Sequence, residues 1–186
     1  KMKITVVTPS YNQGKYIKRT IESVLTQGVN DLEYIVMDGG STDETISILK
    51  EYGDKIIWKS EKDKGQTDAV NKGIREAHGE IIGWLNSDDI YYPGAIKKVM
   101  QIFEEKPDVN VVYGNANHIR EDDSFIEEYY TEDFDYDDQN TDFFSVGKKV
   151  KIDLADMDYV SWRNSLAKDA DVLELLTLLV GDITPE

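Results

Sequence analysis

Apolar and polar residues form two kinds of pattern along the first 115 residues. Five short runs rich in β-branched and aromatic residues predict strands: residues 4–7, 32–37, 55–59, 80–85 and 109–113. Four intervening segments carry apolar residues at three- and four-residue spacing and predict amphipathic helices: residues 15–27, 42–52, 67–77 and 93–105. This alternation favours an α/β fold, with a mostly parallel sheet and helices on both of its faces.

The pattern changes after about residue 120. Residues 125–130 favour another strand, whereas residues 131–142 favour a solvated loop. Residues 165–180 predict a helix that is apolar around most of its circumference, so it must be buried in the core or against a second subunit. We therefore expect a core domain at 1–120 and a short, partly irregular region at 121–186. A homodimer formed through 165–180 is one expectation.

Composition narrows the class of protein. The chain has 186 residues, 40% of them hydrophobic, no cysteine and a formal net charge of −16. Such a charge disfavours binding to nucleic acid, and the lack of cysteine excludes disulfides and thiolate zinc sites. The sequence shows no apolar run near the roughly 20 residues that cross a bilayer and no pattern typical of a signal peptide. We expect a cytoplasmic protein, with peripheral attachment at the inner membrane face as an option.

Acidic residues directly follow three of the predicted strands. They are Asp38, Asp63 and the adjacent pair Asp88 and Asp89. A single Asp after a strand is common because Asp favours turns. Three such loops carry more weight, because ligands of open α/β sheets bind at the carboxyl ends of the strands. Carboxylates can hold Mg²⁺ together with substrate phosphates, or accept hydrogen bonds from ribose and base. These residues therefore favour a nucleoside diphosphate site, although Walker and G-x-G-x-x-G sequences are absent.

Four stretches carry a resemblance to a known family. They are "VVTPSYNQGKYIKRTIESVLTQ", "EYIVMDGGSTDET", "SEKDKGQTDAVNKGIREAHGEIIGWLNSDD" and "VVYGN". Together they make residues 3–115 resemble the nucleotide-binding half of family 2 glycosyltransferases, which have the GT-A fold. The resemblance covers about three-fifths of the chain, and it implies a Rossmann-like domain that binds a nucleotide sugar.

The resemblance also implies a nucleoside pocket. In it, Thr8, Pro9 and Tyr11 would line the base pocket. Asp38 and Asp63 would bind the base and the ribose.

The resemblance further implies a metal site on the diphosphate. Asp89 would ligate Mn²⁺ or Mg²⁺, and Asp88 would bind a ribose hydroxyl or help to hold the metal. Lys64, in the loop after the third strand, is a candidate phosphate contact on its charge alone. The implied reaction transfers a sugar, usually from a UDP-sugar and with inversion, to a hydroxyl of a glycan, a lipid-linked sugar or a protein, as in polysaccharide biosynthesis.

The second half departs from the family pattern. A general base is expected there, but none of five acidic residues fits convincingly: Glu132, Asp133, Asp153, Asp156 and Asp158. The Q-x-x-R-W motif of processive members is missing, and the region is short. Two alternatives therefore stay open: a nucleotide-sugar-binding module without turnover, and a sugar nucleotidyltransferase. The second is disfavoured because "TPSYNQGK" has one Gly and no Arg.

Overall fold

The computed structural model describes residues 2–122, 124–129, 148–152, 172–173 and 178–181. The strands are β1 (Ile4–Ser10), β2 (Leu32–Asp38), β3 (Ile57–Ser60), β4 (Ile81–Trp84), β5 (Val109–Gly114), β6 (Ala116–Arg120), β7 (Phe125–Tyr129), β8 (Lys148–Ile152), β9 (Val172–Leu173) and β10 (Leu178–Gly181). The helices are α1 (Ile17–Leu25), α2 (Thr45–Glu51), α3 (Gln66–Glu76) and α4 (Ala95–Glu105). The alternation predicted for the first 115 residues is confirmed.

The described strands form two sheets. The larger has the order β3-β2-β1-β4-β10-β5-β8, and the smaller has the order β7-β6-β9. Strand β10 runs antiparallel to both of its neighbours, and the other strands of the larger sheet are paired in parallel. The prediction of an α/β fold with a mostly parallel sheet is therefore correct.

Helices cover both faces of the sheet because β1 and β2 are apolar on both sides. Ile4 and Val6 of β1 belong to the larger core cluster, which also contains buried residues of α1, α2 and α4. Val7 of β1 points into a smaller cluster with Ala69 of α3. Helix α3 approaches this face closely through Gly73, where an added Cβ would lie 2.3 Å from Val7 Cγ1.

Strand β1 is three residues longer than predicted. Thr8, Pro9 and Ser10 continue the parallel pairing with β2, although Pro usually ends a strand. The pairing with β4 stops at Val7, whose carbonyl accepts a hydrogen bond from Leu85 N at 3.1 Å. The backbone of Pro9 is directed toward the same edge of β1 as that of Val7, but β4 has already ended there. The missing N–H of Pro9 therefore costs no hydrogen bond in the sheet.

At the amino-terminal end of the strands, the carboxylate of Glu33 in β2 accepts several hydrogen bonds. Its carboxylate accepts hydrogen bonds from Thr5 Oγ1 at 2.7 Å, Lys3 Nζ at 3.0 Å and His78 N at 2.8 Å, and His78 Nδ1 lies 3.0 Å away. The Glu33 side chain is 9% exposed. Burial raises the pKa of this carboxyl, but the hydrogen bonds outweigh burial and lower the pKa to about 2.

The helix predicted over 165–180 is wrong at both of its described segments. Val172–Leu173 is β9, and Leu178–Gly181 is β10, which pairs with β4 and β5 inside the larger sheet. A run that is apolar on all sides fits a strand covered on both faces as well as a buried helix, so periodicity alone could not separate them. The dimer and the domain boundary at residue 120 stay predictions, and the rest of 165–180 lies outside the described residues.

Two further comparisons with the sequence concern β6 and the membrane. Strand β6 was not predicted, and it follows β5 after a single residue. Over the part of the chain that the structure describes, no helix combines the length and the apolar character needed to cross a membrane.

Candidate nucleotide site

A pocket of about 760 Å³ opens at the carboxyl ends of four adjacent strands, β3, β2, β1 and β4. The chain leaves β1 toward β2 on one side and returns to β4 on the other, which makes this the topological switch point of the sheet. The lining residues are Pro9, Ser10, Tyr11, Gln13, Gly39, Gly40, Lys62, Asp63, Gly65, Gln66, Ala69, Asn86, Ser87 and Asp88. Its size and position suit a small-molecule ligand.

Hydrogen bonds between the first two loops build one rim of the pocket. Asn12, with a positive φ of 52°, donates its N–H to Ser41 Oγ at 2.7 Å, and its Oδ1 accepts from Thr42 N at 2.9 Å. Asp43 Oδ2 accepts from Gly14 N at 2.8 Å. Burial raises the pKa of Asp43, but the hydrogen bonds that it accepts lower it below the ordinary value. The two loops therefore form one connected rim.

Four of the predicted site residues line the pocket: Pro9, Tyr11, Asp63 and Asp88. Tyr11 is 60% exposed, so its ring is accessible to a ligand at the edge of the pocket. Asp63 is half-buried, and its Oδ1 accepts a hydrogen bond from Gly65 N at 2.8 Å. An added Cβ on Gly39 would lie 2.8 Å from Asp63 Oδ2. The carboxylate of Asp63 can therefore occupy its position because residue 39 has no side chain.

Asp38, by contrast, lies beneath the pocket and does not line it. It is 2% exposed. Its Oδ2 accepts hydrogen bonds from Gly40 N at 3.0 Å, Ser41 N at 2.8 Å and Ser60 Oγ at 2.6 Å, and its Oδ1 accepts one from Ser41 Oγ. These contacts fix the loop after β2 to the end of β3.

Thr8 and Lys64 also lie away from the pocket lining. Thr8 is buried, and its Oγ1 is 3.0 Å from the hydroxyl of Tyr34, on the side of the larger core. Lys64 is exposed, and its backbone N–H donates to Asp68 Oδ2 at 3.1 Å. The lysine that lines the pocket is Lys62, in the same loop.

The two adjacent acids after β4 have different surroundings. Asp88 is partly exposed and lines the pocket, whereas Asp89 is 2% exposed and does not. Asp89 Oδ2 accepts a hydrogen bond from Asn86 Nδ2 at 3.0 Å. Asn86 Oδ1 in turn accepts from Gln66 Nε2 at 2.7 Å, which links this loop to the start of α3. One acid therefore faces the pocket, and the other supports the loop.

Reasoning from the sequence missed several polar lining residues. They are Lys62, Gln13 and Asn86, in loops at this edge of the sheet, and Gln66, the first residue of α3. The signal available in the sequence was that these residues lie close after the ends of the strands. It did not distinguish Lys62 from Lys64, because both flank Asp63.

The side chains at the pocket fit a divalent cation that is shared with a ligand. Among the described residues, no group of three or more His, Cys, Asp or Glu side chains could hold a metal. Mg²⁺, however, is commonly held by one or two carboxylates plus substrate phosphates, with water completing the shell. Asp88 supplies one such carboxylate from the pocket wall.

A comparison with family models identifies the family of this chain. The model of "Glycosyl transferase family 2" matches residues 5–153, which is most of the chain, and the protein belongs to this family. The resemblance stated from the sequence motifs is thereby confirmed.

Individual relatives are longer than this chain. An uncharacterised glycosyltransferase of Rickettsia prowazekii is 35% identical over 109 residues, which are 59% of this chain and 34% of the relative. Staphylococcus aureus TarS 1–349 in complex with UDP-GlcNAc matches with a TM-score of 0.55 and 28% identity, over 61% of this chain and 34% of that one. This chain thus spans about a third of the length of these relatives.

A more distant solved structure supports the fold alone. The mannosyltransferase PcManGT from Pyrobaculum calidifontis, in complex with GDP-Man and Mn²⁺, has a TM-score of 0.55 at 24% identity, over 60% of this chain and 35% of that one. Together with TarS, it places the described core in the GT-A fold.

Proposed function

We propose that this chain binds the donor of a glycosyltransferase reaction, a nucleoside diphosphate sugar, in the pocket at the ends of β3, β2, β1 and β4. The observation that carries the proposal is the placement of Tyr11, Asp63 and Asp88 around one pocket at the switch point of the sheet. Tyr11 offers a ring face for the base, and Asp63 offers acceptors for base or ribose donors. Lys62 is a candidate partner for the phosphates.

A UDP-sugar is the favoured donor. TarS is 28% identical to this chain and was solved with UDP-GlcNAc, whereas the relative solved with GDP-Man is less similar. The acceptor is a hydroxyl of a glycan, a lipid-linked sugar or a protein, and the expected outcome at the anomeric carbon is inversion. The five acids considered as general base lie outside the described residues.

Asp88 is the residue proposed to hold the Mn²⁺ or Mg²⁺ on the diphosphate. Such a cation would neutralise negative charge on the departing diphosphate. The sequence motif gave the main metal role to Asp89, but the burial of Asp89 and its contact with Asn86 favour a supporting role. Asp88 and Asp89 are chemically identical and adjacent, so the same substitution in each is a matched pair.

Calorimetric titration of UDP, with and without Mn²⁺, tests both proposals. Wild-type protein is expected to bind UDP more tightly with Mn²⁺, and a hundredfold excess over Kd should stabilise the fold by about 2.7 kcal/mol. Asp88→Asn is expected to remove the gain from Mn²⁺ with little loss of stability, because Asp88 lies on the pocket wall. Asp89→Asn is expected to lower stability and to keep most of that gain.

The possible outcomes separate the two claims. Absence of UDP binding by the wild-type protein, with or without metal, would refute the donor-binding function. Binding that loses its Mn²⁺ dependence in Asp89→Asn and keeps it in Asp88→Asn would restore the assignment made from the sequence.

A further inference from the structure

Helix α1 and the turn that follows it carry a polar stripe, buried at Thr20 and Gln27 and half-buried at Ser23, that contacts the loop of Asp88. Thr20, Ser23 and Gln27 follow one another at three- and four-residue spacing, so they lie on one side of the helix and of the turn that ends it. Thr20 Oγ1 donates to the carbonyl of Ser87 at 2.9 Å, and Ser23 Oγ accepts from Tyr91 N at 3.1 Å. The stripe therefore holds the backbone on both sides of Asp88 and Asp89.

Gln27 makes the most extensive of these contacts. Its Nε2 donates to the carbonyl of Tyr92 at 2.9 Å and to that of Ser23 at 2.8 Å, and its Oε1 accepts from Ile96 N at 3.1 Å. The side chain is 5% exposed. Gly94, the residue before α4, provides no side-chain cap, so Gln27 satisfies one of the free N–H groups at the start of α4.

These contacts fix both ends of the loop between β4 and α4. The Asp88 side chain takes no part in these contacts, whereas the carbonyls of Ser87 and Tyr92 on either side of it accept hydrogen bonds from Thr20 of α1 and from Gln27 of the turn after α1. A metal ligand must be held within about 0.5 Å of its productive position, and neighbouring hydrogen bonds supply that precision.

We propose that Gln27 is a positioning residue for the metal site: through Tyr92 and Ile96 it sets the loop that presents Asp88 to the cation. The inference rests on the proposed function and deepens it. Loss of the Gln27 amide leaves the N–H of Ile96 without its acceptor and the Tyr92 carbonyl with one donor fewer beside Ala95 N, and the loop relaxes to recover these contacts. The residue acts on Asp88 through the backbone and does not touch the ligand.

Gln27→Leu removes the amide and puts an apolar side chain of similar size in its place. Gln101→Leu is the matched control, because Gln101 is exposed on α4 and its side chain, within the described part of the chain, bonds Glu105 of its own helix at 2.6 Å. The Mn²⁺ concentration for half-maximal UDP binding is expected to rise about tenfold in Gln27→Leu, the lower end of the range for direct partners of metal ligands, because Gln27 acts on Asp88 through the backbone. The affinity for UMP without metal is expected to stay within twofold, because the Gln27 side chain bonds Ser23, Tyr92 and Ile96 and neither Tyr11 nor Asp63.

The design separates positioning from mere stability. A lower Tm with an unchanged Mn²⁺ requirement would overturn the proposal, and so would an equal change in the Gln101→Leu control. Failure of the wild-type protein to bind UDP with Mn²⁺ would instead refute the proposed function. If Gln27→Leu does not fold, Ser23→Ala removes the acceptor for Tyr91 N, together with the hydroxyl that donates to the Thr20 carbonyl within α1, and is expected to raise the Mn²⁺ requirement to a smaller extent. An unchanged requirement in that variant would also overturn the proposal.

Discussion

Replacing Asp38 by alanine tests whether this carboxylate holds a loop or a nucleotide. The sequence motif assigned Asp38 to the base or the ribose, but its oxygens accept hydrogen bonds from Gly40, Ser41 and Ser60 beneath the pocket. We expect Asp38→Ala to lower the stability of the fold, and to weaken nucleotide binding only because Gly39 and Gly40 lose their support.

The size of the effect follows from these contacts. Asp38→Ala leaves the N–H groups of Gly40 and Ser41 and two serine hydroxyls without this acceptor. The residues that donate are partly exposed, and water can replace part of what is lost, so the cost of each backbone N–H is near the lower end of the 1–3 kcal/mol range. The expected loss in the free energy of unfolding is about 3 kcal/mol, or a fall in Tm of about 6–12 °C for a chain of this size.

Asp38→Asn and Asp63→Ala are the controls. An asparagine can place its carbonyl where Oδ2 now accepts three hydrogen bonds and can donate its amide to Ser41 Oγ, so Asp38→Asn is expected to retain both stability and binding. Asp63→Ala removes a carboxylate from the pocket wall and is expected to weaken UMP binding by about 1–3 kcal/mol with little change in Tm.

Urea unfolding and titration with UMP measure the two properties on the same variants. The reasoning is refuted if Asp38→Ala unfolds at the wild-type urea concentration. It is equally refuted if Asp38→Asn keeps wild-type stability but loses UMP affinity, because that result requires direct contact between the Asp38 carboxylate and the nucleoside.

Two other substitutions test the sheet away from the pocket. The pKa of Glu33, about 2 against an ordinary 4.5, means that its ionised form stabilises the fold above about pH 4.5 and that this contribution is lost as the pH falls toward 2. Glu33→Gln is expected to remove about 3 kcal/mol at pH 7 and to flatten the acid-side decline, measured by urea unfolding; an unchanged pH profile would contradict this. Gly73→Ala is expected to lower Tm, measured by calorimetry, because the added Cβ would meet Val7 at 2.3 Å; an unchanged Tm would show that α3 can shift.

The order of strands and helices was predictable because it depends on local patterns. β-Branched runs and helical spacing placed the strands and α-helices from β1 to β5, and the loops after β1 to β4 were expected at one edge. The C-terminal strands were not predictable, because the position of β10 between β4 and β5 depends on pairing across about 65 to 100 residues of sequence. An apolar run such as residues 178–181 has no local feature that distinguishes this strand from a helix.

Within the site, the sequence identified the loops but not the role of each acid. Asp38 and Asp63 each follow a strand, yet one is buried under the pocket and the other lines it. Asp88 and Asp89 are adjacent, so they project in different directions and only one of them can easily face the pocket. Composition and spacing are the same for a carboxylate that binds and for one that supports. Only burial and hydrogen-bond partners separate them.

The polar stripe on α1 and the turn after it is a second feature whose role the sequence did not show. The helix over residues 15–27 was predicted from its apolar residues alone, and Thr20, Ser23 and Gln27 were given no role. They instead lie next to the apolar stripe of Ile17, Ile21 and Val24, where the helix still faces the protein interior. A polar residue beside an apolar stripe has to find a partner in the protein, because water is excluded there. In α1 the partners are backbone groups of the loop between β4 and α4, which couples the packing of this helix to the geometry of Asp88.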